Sequence, residues 1–180
     1  MSVEMKDLIA QAAQRLITEK RVKRLTVKDI VEECQITRQS FYYHFEDIPA
    51  LFRYILQRDG ERLQRESDKL NDPEEALKYF FHIAINTIPD IRRGMQTNYR
   101  EELQQLMYEY VYRLLETEEE KVNLYTGISS ADKKLFLRYH SCALLGILQQ
   151  WSDKDTEHLD EIVHKLYLLV YSQPPIRNEI

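Results

Sequence analysis

The fold of this chain is decided by residues 26–45, which read TVKDIVEECQITRQSFYYHF. Each half of this stretch opens on a threonine, Thr26 or Thr37, a residue type that caps helix N-termini. Apolar residues then recur at helical spacing, which predicts two short helices joined by a tight turn at Gln35. With an amphipathic helix predicted in front of them over residues 3–20, they form a helix-turn-helix, a motif that places its second helix in the major groove of DNA.

The second short helix carries hydrogen-bonding side chains on one face. Phe41 and Phe45 lie one turn apart and are expected to face the core, so that Gln39 and Tyr43 point the opposite way. Arginine pairs bidentately with guanine and glutamine with adenine, whereas tyrosine, serine and threonine suit phosphates. The exposed face is predicted to consist of Arg38, Gln39, Ser40, Tyr42 and Tyr43.

Charge is distributed unevenly along the 180 residues. The net charge of −5 argues by itself against nucleic-acid binding. Residues 1–60, however, contain ten basic and nine acidic residues, and the stretch from Arg15 to Lys28 contains six basic residues against one acid. A basic edge is therefore confined to the N-terminal module. The acidic run within residues 116–120 is interpreted as a solvated helix end.

Several function classes leave no trace in the sequence. The four glycines are too far apart for a phosphate-binding loop, and the histidines and cysteines lack metal-binding spacing. Catalytic and cofactor motifs are missing too, so we expect no enzymatic activity, no cofactor and no metal. The apolar runs fall short of the roughly 20 residues of a membrane-spanning helix, and the N-terminus is unlike a signal peptide, which favours a cytoplasmic protein without membrane attachment.

The rest of the chain also repeats its apolar residues at helical spacing, which predicts an all-α fold. A domain boundary is predicted near residue 60, inside a long helix. The further helices are predicted from Asp47 to Leu70, from Asn71 to a stop near Pro89, over a short piece at 90–93, over 98–123, from Ser129 to Trp151, and from Asp155 or Thr156 onward.

The last two predicted helices are apolar around most of their circumference, so they need packing partners on two sides. One side is the helices' own domain, and a second copy of the chain is the natural partner for the other. The alternative is a wholly intramolecular core. The residues predicted for a dimer interface are Cys142, Ala143, Gly146, Trp151, Leu166 and Val170.

Aromatic residues are concentrated after residue 60, where nine of the twelve tyrosines lie. They are consistent with a ligand cavity between the middle helices, and equally with a tyrosine-rich core. The residues predicted to line such a pocket are Phe80, Phe81, His82, Tyr99, Arg100, Tyr108, Tyr112 and Tyr139.

Residues 26–31 and 36–45, followed by Leu51 and Phe52, resemble the tetracycline-repressor (TetR/AcrR) family of bacterial regulators. The resemblance implies a three-helix helix-turn-helix DNA-binding domain over residues 1–60 and an α-helical ligand-binding and dimerisation domain over residues 61–180. It implies a homodimer on palindromic double-stranded DNA, most often a repressor released by a small-molecule effector. Carried over by position, Arg38, Gln39 and Ser40 face bases, and Thr26, Thr37, Tyr42, Tyr43 and His44 face or flank phosphates.

Three positions depart from the family pattern. Gln35 stands in the turn where glycine is usual, and Glu46 and Ile48 stand where lysines are common, which removes one expected phosphate anchor. Two alternatives stay open, of which the second rests on these departures. The chain is an activator controlled by a partner protein, or it is a helical interaction module whose helix-turn-helix no longer binds DNA.

Overall fold

The computed structural model describes residues 2–123 and 125–171. All regular elements within these ranges are α-helices, which confirms the all-α prediction. None of these helices is long and apolar enough to cross a membrane. The helices are α1 (Ser2–Thr18), α2 (Val27–Cys34), α3 (Arg38–His44), α4 (Ile48–Ser67), α5 (Pro73–Gly94), α6 (Arg100–Val122), α7 (Ser130–Gln149), α8 (Asp153–Glu157) and α9 (Leu159–Tyr171).

The helices form two compact units. The first contains the chain as far as Arg62 together with Thr87–Met107, and the second contains Leu63–Asn86 and the chain from Tyr108 onward. Tyr99 and Leu106 pack against the core of the first unit, which explains why their segment belongs to it. No pattern in the sequence predicts this placement, and the division of the chain into domains at residue 60 stays a prediction.

The core of the first unit is built where α1, α2, α3 and α4 meet. Its fully buried side chains include Ile9, Ile30, Phe41 and Leu51. Phe41 packs against Phe45 with ring centroids 5.9 Å apart. Apolar burial of this kind supplies most of the stability of short helices, which are marginal in isolation.

A three-residue polar contact also ties α1 to α4. Arg58 Nη1 and Tyr54 Oη both donate to Asp7 Oδ1, each at 3.0 Å. The hydrogen bond from Arg58 is the main reason that the pKa of Asp7 lies below its usual value, and the bond from Tyr54 adds to it. The pair is partly exposed and serves chiefly to fix the approach of the two helices.

Local caps define both short helices of the helix-turn-helix. Thr26 and Asp29 form a capping box, in which Asp29 N–H donates to Thr26 Oγ1 at 3.2 Å and Thr26 N–H donates to Asp29 Oδ2 at 3.0 Å. Thr37 Oγ1 accepts a hydrogen bond from Ser40 N–H at 3.1 Å. The aspartate therefore completes the box in place of the usual Glu or Gln.

The turn between α2 and α3 is left-handed at Gln35, with φ 57° and ψ 41°. Gln35 N–H donates to Glu32 O at 3.3 Å, and Ile36 N–H donates to Val31 O at 3.0 Å. This is the Schellman arrangement that normally ends on glycine. The turn has the geometry that glycine favours, and glutamine adopts it at an energetic cost.

Helix α5 differs from its prediction. The sequence predicted a stop near Pro89 and a separate piece at 90–93, but the helix continues through the proline to Gly94. Proline removes one backbone hydrogen bond, which a helix tolerates when packing supports both sides. Ile88 is buried before the proline, and an Asp90–Arg93 ion pair of 3.1 Å spans the turn after it.

In the second unit, α5 contacts both the end of α7 and α9. Phe81 packs against Trp151 with ring centroids 5.3 Å apart, and Trp151 Nε1 donates to Thr156 Oγ1 at 3.0 Å. His164 Nδ1 lies 2.9 Å from Glu74 Oε1. The predicted cap at Asp155 or Thr156 is wrong, because Ser152 caps α8 and a further helix, α9, begins at Leu159.

Replacing Gln35 with glycine is expected to raise the free energy of unfolding by about 1 kcal/mol, because glycine adopts the left-handed turn without strain. The measurement is urea unfolding followed by circular dichroism. Gln11→Gly is the control, since Gln11 is exposed within α1 and glycine there is expected to lower the free energy of unfolding by about the same amount. Destabilisation by both substitutions would contradict the strained turn.

Candidate nucleic-acid interface

Helix α3 separates a buried aromatic face from an exposed polar face. Phe41 is 0% exposed, whereas Tyr42 is 57% and Tyr43 is 83% exposed. Arg38 and Gln39 are exposed as well. Large aromatic side chains are rarely left this open on a surface without a partner, so the exposed face of α3 is a candidate binding surface.

The other predicted DNA-contacting residues border this face. Thr37 is exposed, while Ser40 and His44 are half-buried. The ring of His44 packs edge-on against Tyr43 with centroids 5.0 Å apart. Thr37 Oγ1 accepts a hydrogen bond as the cap of α3 and keeps its own proton for donation. The structure thus brings seven of the eight predicted residues together, on α3 and its cap.

Thr26 is the eighth residue, and its hydroxyl is already occupied. Thr26 Oγ1 donates to Asp29 Oδ2 at 2.6 Å and accepts from Asp29 N–H at 3.2 Å. The carboxylate also places a negative charge in the first turn of α2. Thr26 therefore caps the start of α2. The Asp29 carboxylate would repel a phosphate at this position and so offset the attraction of the helix N-terminus.

The acids that follow α3 are partly engaged. Asp47 Oδ1 accepts from Ala50 N–H at 2.7 Å and so caps α4, with Pro49 in the first turn, where its missing N–H costs no hydrogen bond. Glu46 is exposed. Helix α3 has no acidic residue in its first turn. The N-terminal end of its exposed face, which carries Arg38, is therefore less acidic than the end near Glu46.

The predicted pocket residues do not form one group. Tyr99 and Arg100 belong to the first unit, where Tyr99 packs edge-on against Phe52 with centroids 5.7 Å apart. In the second unit, Phe80 and Phe81 are buried, Tyr108 and Tyr112 form a pair 6.2 Å apart on α6, and His82 and Tyr139 are exposed.

A small cavity of about 20 Å³ lies elsewhere in the second unit, with room for about one water molecule. Its lining includes Glu119, Tyr125, His140 and Tyr171. Glu119 is only 5% exposed, so the interpretation of the acidic run as a solvated helix end is wrong for this residue. Glu119 Oε1 accepts from Tyr125 N–H at 3.3 Å, and Oε2 pairs with the Lys133 ammonium.

Burial controls the protonation of the cavity lining. It raises the pKa of Tyr125 to about 12 and that of Tyr171 to about 12, and it lowers the pKa of His140. At pH 7 both phenols and the imidazole are therefore neutral. The cavity presents these neutral hydrogen-bonding groups beside two ion-paired carboxylates, Glu118 and Glu119. The sequence missed it because these residues come from three different helices and a turn.

The predicted dimer residues divide into two groups. Cys142 is exposed, Ala143, Gly146 and Leu166 are half-buried, and a Cβ at Gly146 would meet no atom of its own subunit within 4 Å. Trp151 and Val170 instead are buried inside the second unit. The predicted interface list leaves out the large exposed apolar side chains of α7 and α9, which are Leu135, Tyr139, Leu168 and Leu169.

Two family models match the chain. The model described as bacterial regulatory proteins, tetR family, matches residues 9–55, and the model described as transcriptional regulator C-terminal region matches residues 71–172. The chain belongs to the tetR family of bacterial transcriptional regulators. It is a DNA-binding regulator with a C-terminal ligand-binding domain, for which repression as a ligand-controlled dimer is typical. Activation is not favoured.

Solved structures share the fold at low sequence identity. The dihydroxyacetone kinase operon activator DhaS is 17% identical with a TM-score of 0.61, over 95% of this chain and 96% of its own. The fatty acid degradation regulator FadR from Bacillus halodurans is 17% identical with a TM-score of 0.56, over 96% and 97%. RolR, solved with resorcinol, is 17% identical with a TM-score of 0.53, over 98% and 97%. No curated protein sequence matched the chain.

Removing the ammonium group that pairs with Glu119 is expected to destabilise the second unit, because it leaves a buried carboxylate without its cation. Lys133→Ala is expected to lower the unfolding temperature by about 5 °C in differential scanning calorimetry. Adding Glu119→Gln is expected to restore most of the loss. The control is Lys134→Ala, at an exposed neighbouring lysine. Equal shifts for the two lysine variants would contradict the buried pair.

Proposed function

We propose that α3 reads the bases of a palindromic operator through Arg38, Gln39 and Ser40. The observation that carries this proposal is the opposite exposure of neighbouring positions, since Phe41 anchors the helix while the Arg38 and Gln39 side chains stay free on its outer face. Both residue types form bidentate pairs with base edges in the major groove. A protein dimer bound to the operator would exclude the transcription machinery. The chain therefore acts as a repressor in the cytoplasm and has no catalytic role.

Phosphate contacts hold the helix in register. We assign them to Thr37, Tyr42, Tyr43 and His44, which border the reading face. Thr26 has a different part, because its hydroxyl is engaged by Asp29 and fixes the beginning of α2. Such contacts orient a protein on the duplex without distinguishing sequences.

A second copy of the chain covers the exposed apolar side chains of α7 and α9. Cys142, Ala143 and Gly146 lie on the same helix as Leu135 and Tyr139, and their small size permits close approach of a partner helix. A two-fold dimer presents two α3 helices to two half-sites, which matches a palindromic operator.

A small-molecule effector regulates DNA binding from the second unit. Phe80 and Phe81 are buried there, Tyr108 and Tyr112 form a pair on α6, and the cavity beside Glu119 has neutral hydrogen-bonding groups in its lining. The structural likeness to RolR, solved with resorcinol, supports a compact aromatic effector. Such a molecule acts only if it prefers the conformation that does not bind DNA.

Removing a base contact is expected to weaken operator binding while leaving binding to unrelated DNA nearly unchanged. Arg38→Ala and Gln39→Ala are each expected to cost about 1–3 kcal/mol on an operator selected from random DNA. Fluorescence anisotropy on operator and scrambled duplexes measures both affinities. Arg113→Ala is the control, because Arg113 is an exposed arginine on α6 in the second unit.

If Arg38→Ala and Gln39→Ala weaken binding to both duplexes to the same extent, these residues contact phosphates and do not read bases. Failure of the wild-type protein to select any sequence would overturn the proposed function, and would favour an interaction module whose helix-turn-helix does not bind DNA.

A charge on the apolar face of α9 is expected to separate the subunits. Leu168, at 51% exposure, is replaceable by glutamate without loss of core packing, so Leu168→Glu is expected to give a folded monomer with weakened operator binding. Analytical ultracentrifugation measures the mass. Leu70→Glu, at another exposed leucine, should remain a dimer. A dimeric Leu168→Glu protein would show that the interface lies elsewhere.

A further inference from the structure

The connection between α1 and α2, here named the basic loop, comprises residues 19–25. Four cations lie in it, Lys20, Arg21, Lys23 and Arg24, and all four side chains are exposed. Among the residues predicted from the sequence to contact DNA, only Thr26 lies close to it in the chain. The loop is the most basic segment of the first unit and has no role in the contacts of α3.

Two glutamates of α2 neutralise one cation of the loop, Lys20, and two cations beside it, Arg15 and Lys28. Glu33 Oε1 accepts from Arg15 Nε at 3.2 Å, and its Oε2 accepts from Lys20 Nζ at 2.5 Å. Lys28 pairs loosely with Glu32, at 3.7 Å. The hydrogen bonds from Lys20 and then Arg15 hold the pKa of Glu33 below its usual value, so this acid stays charged at neutral pH.

Arg21, Lys23 and Arg24 are left without a counter-ion. Within residues 2–123 and 125–171, none of the three forms an ion pair or a side-chain hydrogen bond. Three neighbouring cations repel one another unless an external anion joins them. An anion with repeated negative charges, such as a nucleic-acid backbone, matches this spacing of cations along the chain.

The backbone of the basic loop is fixed at both ends. Val22 N–H donates to Leu16 O at 3.1 Å, and Arg21 adopts a left-handed conformation with φ 53°. Leu25 is buried, and its N–H donates to Asn98 Oδ1 at 2.8 Å. A left-handed arginine is strained and persists only where its surroundings hold it. The cations are therefore presented from a rigid loop.

We propose that the basic loop is a second DNA-contacting element, in which Arg21, Lys23 and Arg24 bind backbone phosphates beside the bases that α3 reads. The first helix of a helix-turn-helix crosses the DNA backbone, and the basic loop leads directly into that helix, α2. The start of α2 carries Asp29, an occupied threonine hydroxyl and one cation, Lys28, that already pairs with Glu32, so the unpaired cations lie in the preceding loop. This inference rests on the proposed operator binding by α3.

Asn98 is the positioning residue of this element. It lies between α5 and α6, and its side chain accepts a hydrogen bond from the loop backbone at Leu25. Its carboxamide oxygen satisfies a buried N–H that otherwise has to pair or move. Loss of this acceptor frees the end of the loop and disperses the three cations.

The experiment measures the salt dependence of binding of the full chain to the selected operator and to scrambled DNA. Lys23→Ala combined with Arg24→Ala is expected to weaken both affinities by the same factor. The slope of log K against log salt is expected to fall by about 3–4 per dimer, because each lost phosphate contact changes it by about 0.9. The ratio of the affinity for the operator to the affinity for scrambled DNA is expected to stay constant.

Arg62→Ala combined with Arg65→Ala is the matched control, since it removes the same charge from two exposed arginines of α4. A slope unchanged in the loop variant, or lowered equally in the control, overturns the phosphate contacts while operator recognition stands. A wild-type protein that selects no operator overturns the proposed function, and the inference with it.

The role of Asn98 is tested with Asn98→Leu and with Asn98→Asp, which keeps the acceptor oxygen. Asn98→Leu is expected to lower the slope part of the way towards that of the loop variant, and Asn98→Asp is expected to retain the wild-type slope. If Asn98→Leu lowers only the fraction of active protein and leaves the slope unchanged, Asn98 is a structural residue alone.

Discussion

The burial of Phe41 is the constraint on which the rest of the candidate interface depends. A helix of seven residues is too short to be stable alone, so its orientation is set by the side chain that it buries. Phe41 is fully enclosed and contacts Phe45. Because positions two residues apart point in opposite directions on a helix, this burial fixes Gln39 and Tyr43 outward. Rotation of α3 would bury polar groups and expose the ring.

Local signals account for what the sequence predicted well. The threonine caps at positions 26 and 37 lie in the same few residues that they control, and the bounds of α2 and α3 follow from them. The alternation of buried and exposed positions on α3 likewise follows from helical geometry. The sequence marks Gln35 as an unusual turn residue, because glycine is usual there. Its left-handed conformation is the one that glycine adopts without strain.

Contacts between distant segments explain what the sequence did not predict. Asn98 lies 73 positions from Leu25, and no spacing rule links a carboxamide to a particular buried N–H. Glu119 is the only buried acid of the run within residues 116–120, and its partners Tyr125 and Lys133 come from outside that run. Pro89 shows the opposite case, since a strong local stop signal is overcome by packing on both sides.

The proposed interface carries few unpaired positive charges. The acids of α2 neutralise part of the basic surface, so only a few directed cations remain for DNA. A protein of this kind relies on dimerisation and specific contacts more than on bulk attraction, because non-specific affinity follows the number of neutralised phosphates. Arg21 keeps a strained, left-handed backbone conformation, as expected of a loop that holds a charged side chain in a fixed position.

Base reading by α3 is tested most directly by selecting duplexes from random DNA and mapping guanine N7 methylation interference on the winners. Two α3 helices in a dimer predict a palindrome whose interfering guanines lie in two major-groove half-sites, about one helical turn or a multiple apart. An enriched sequence without interference at any guanine N7, or no enriched sequence at all, would contradict it.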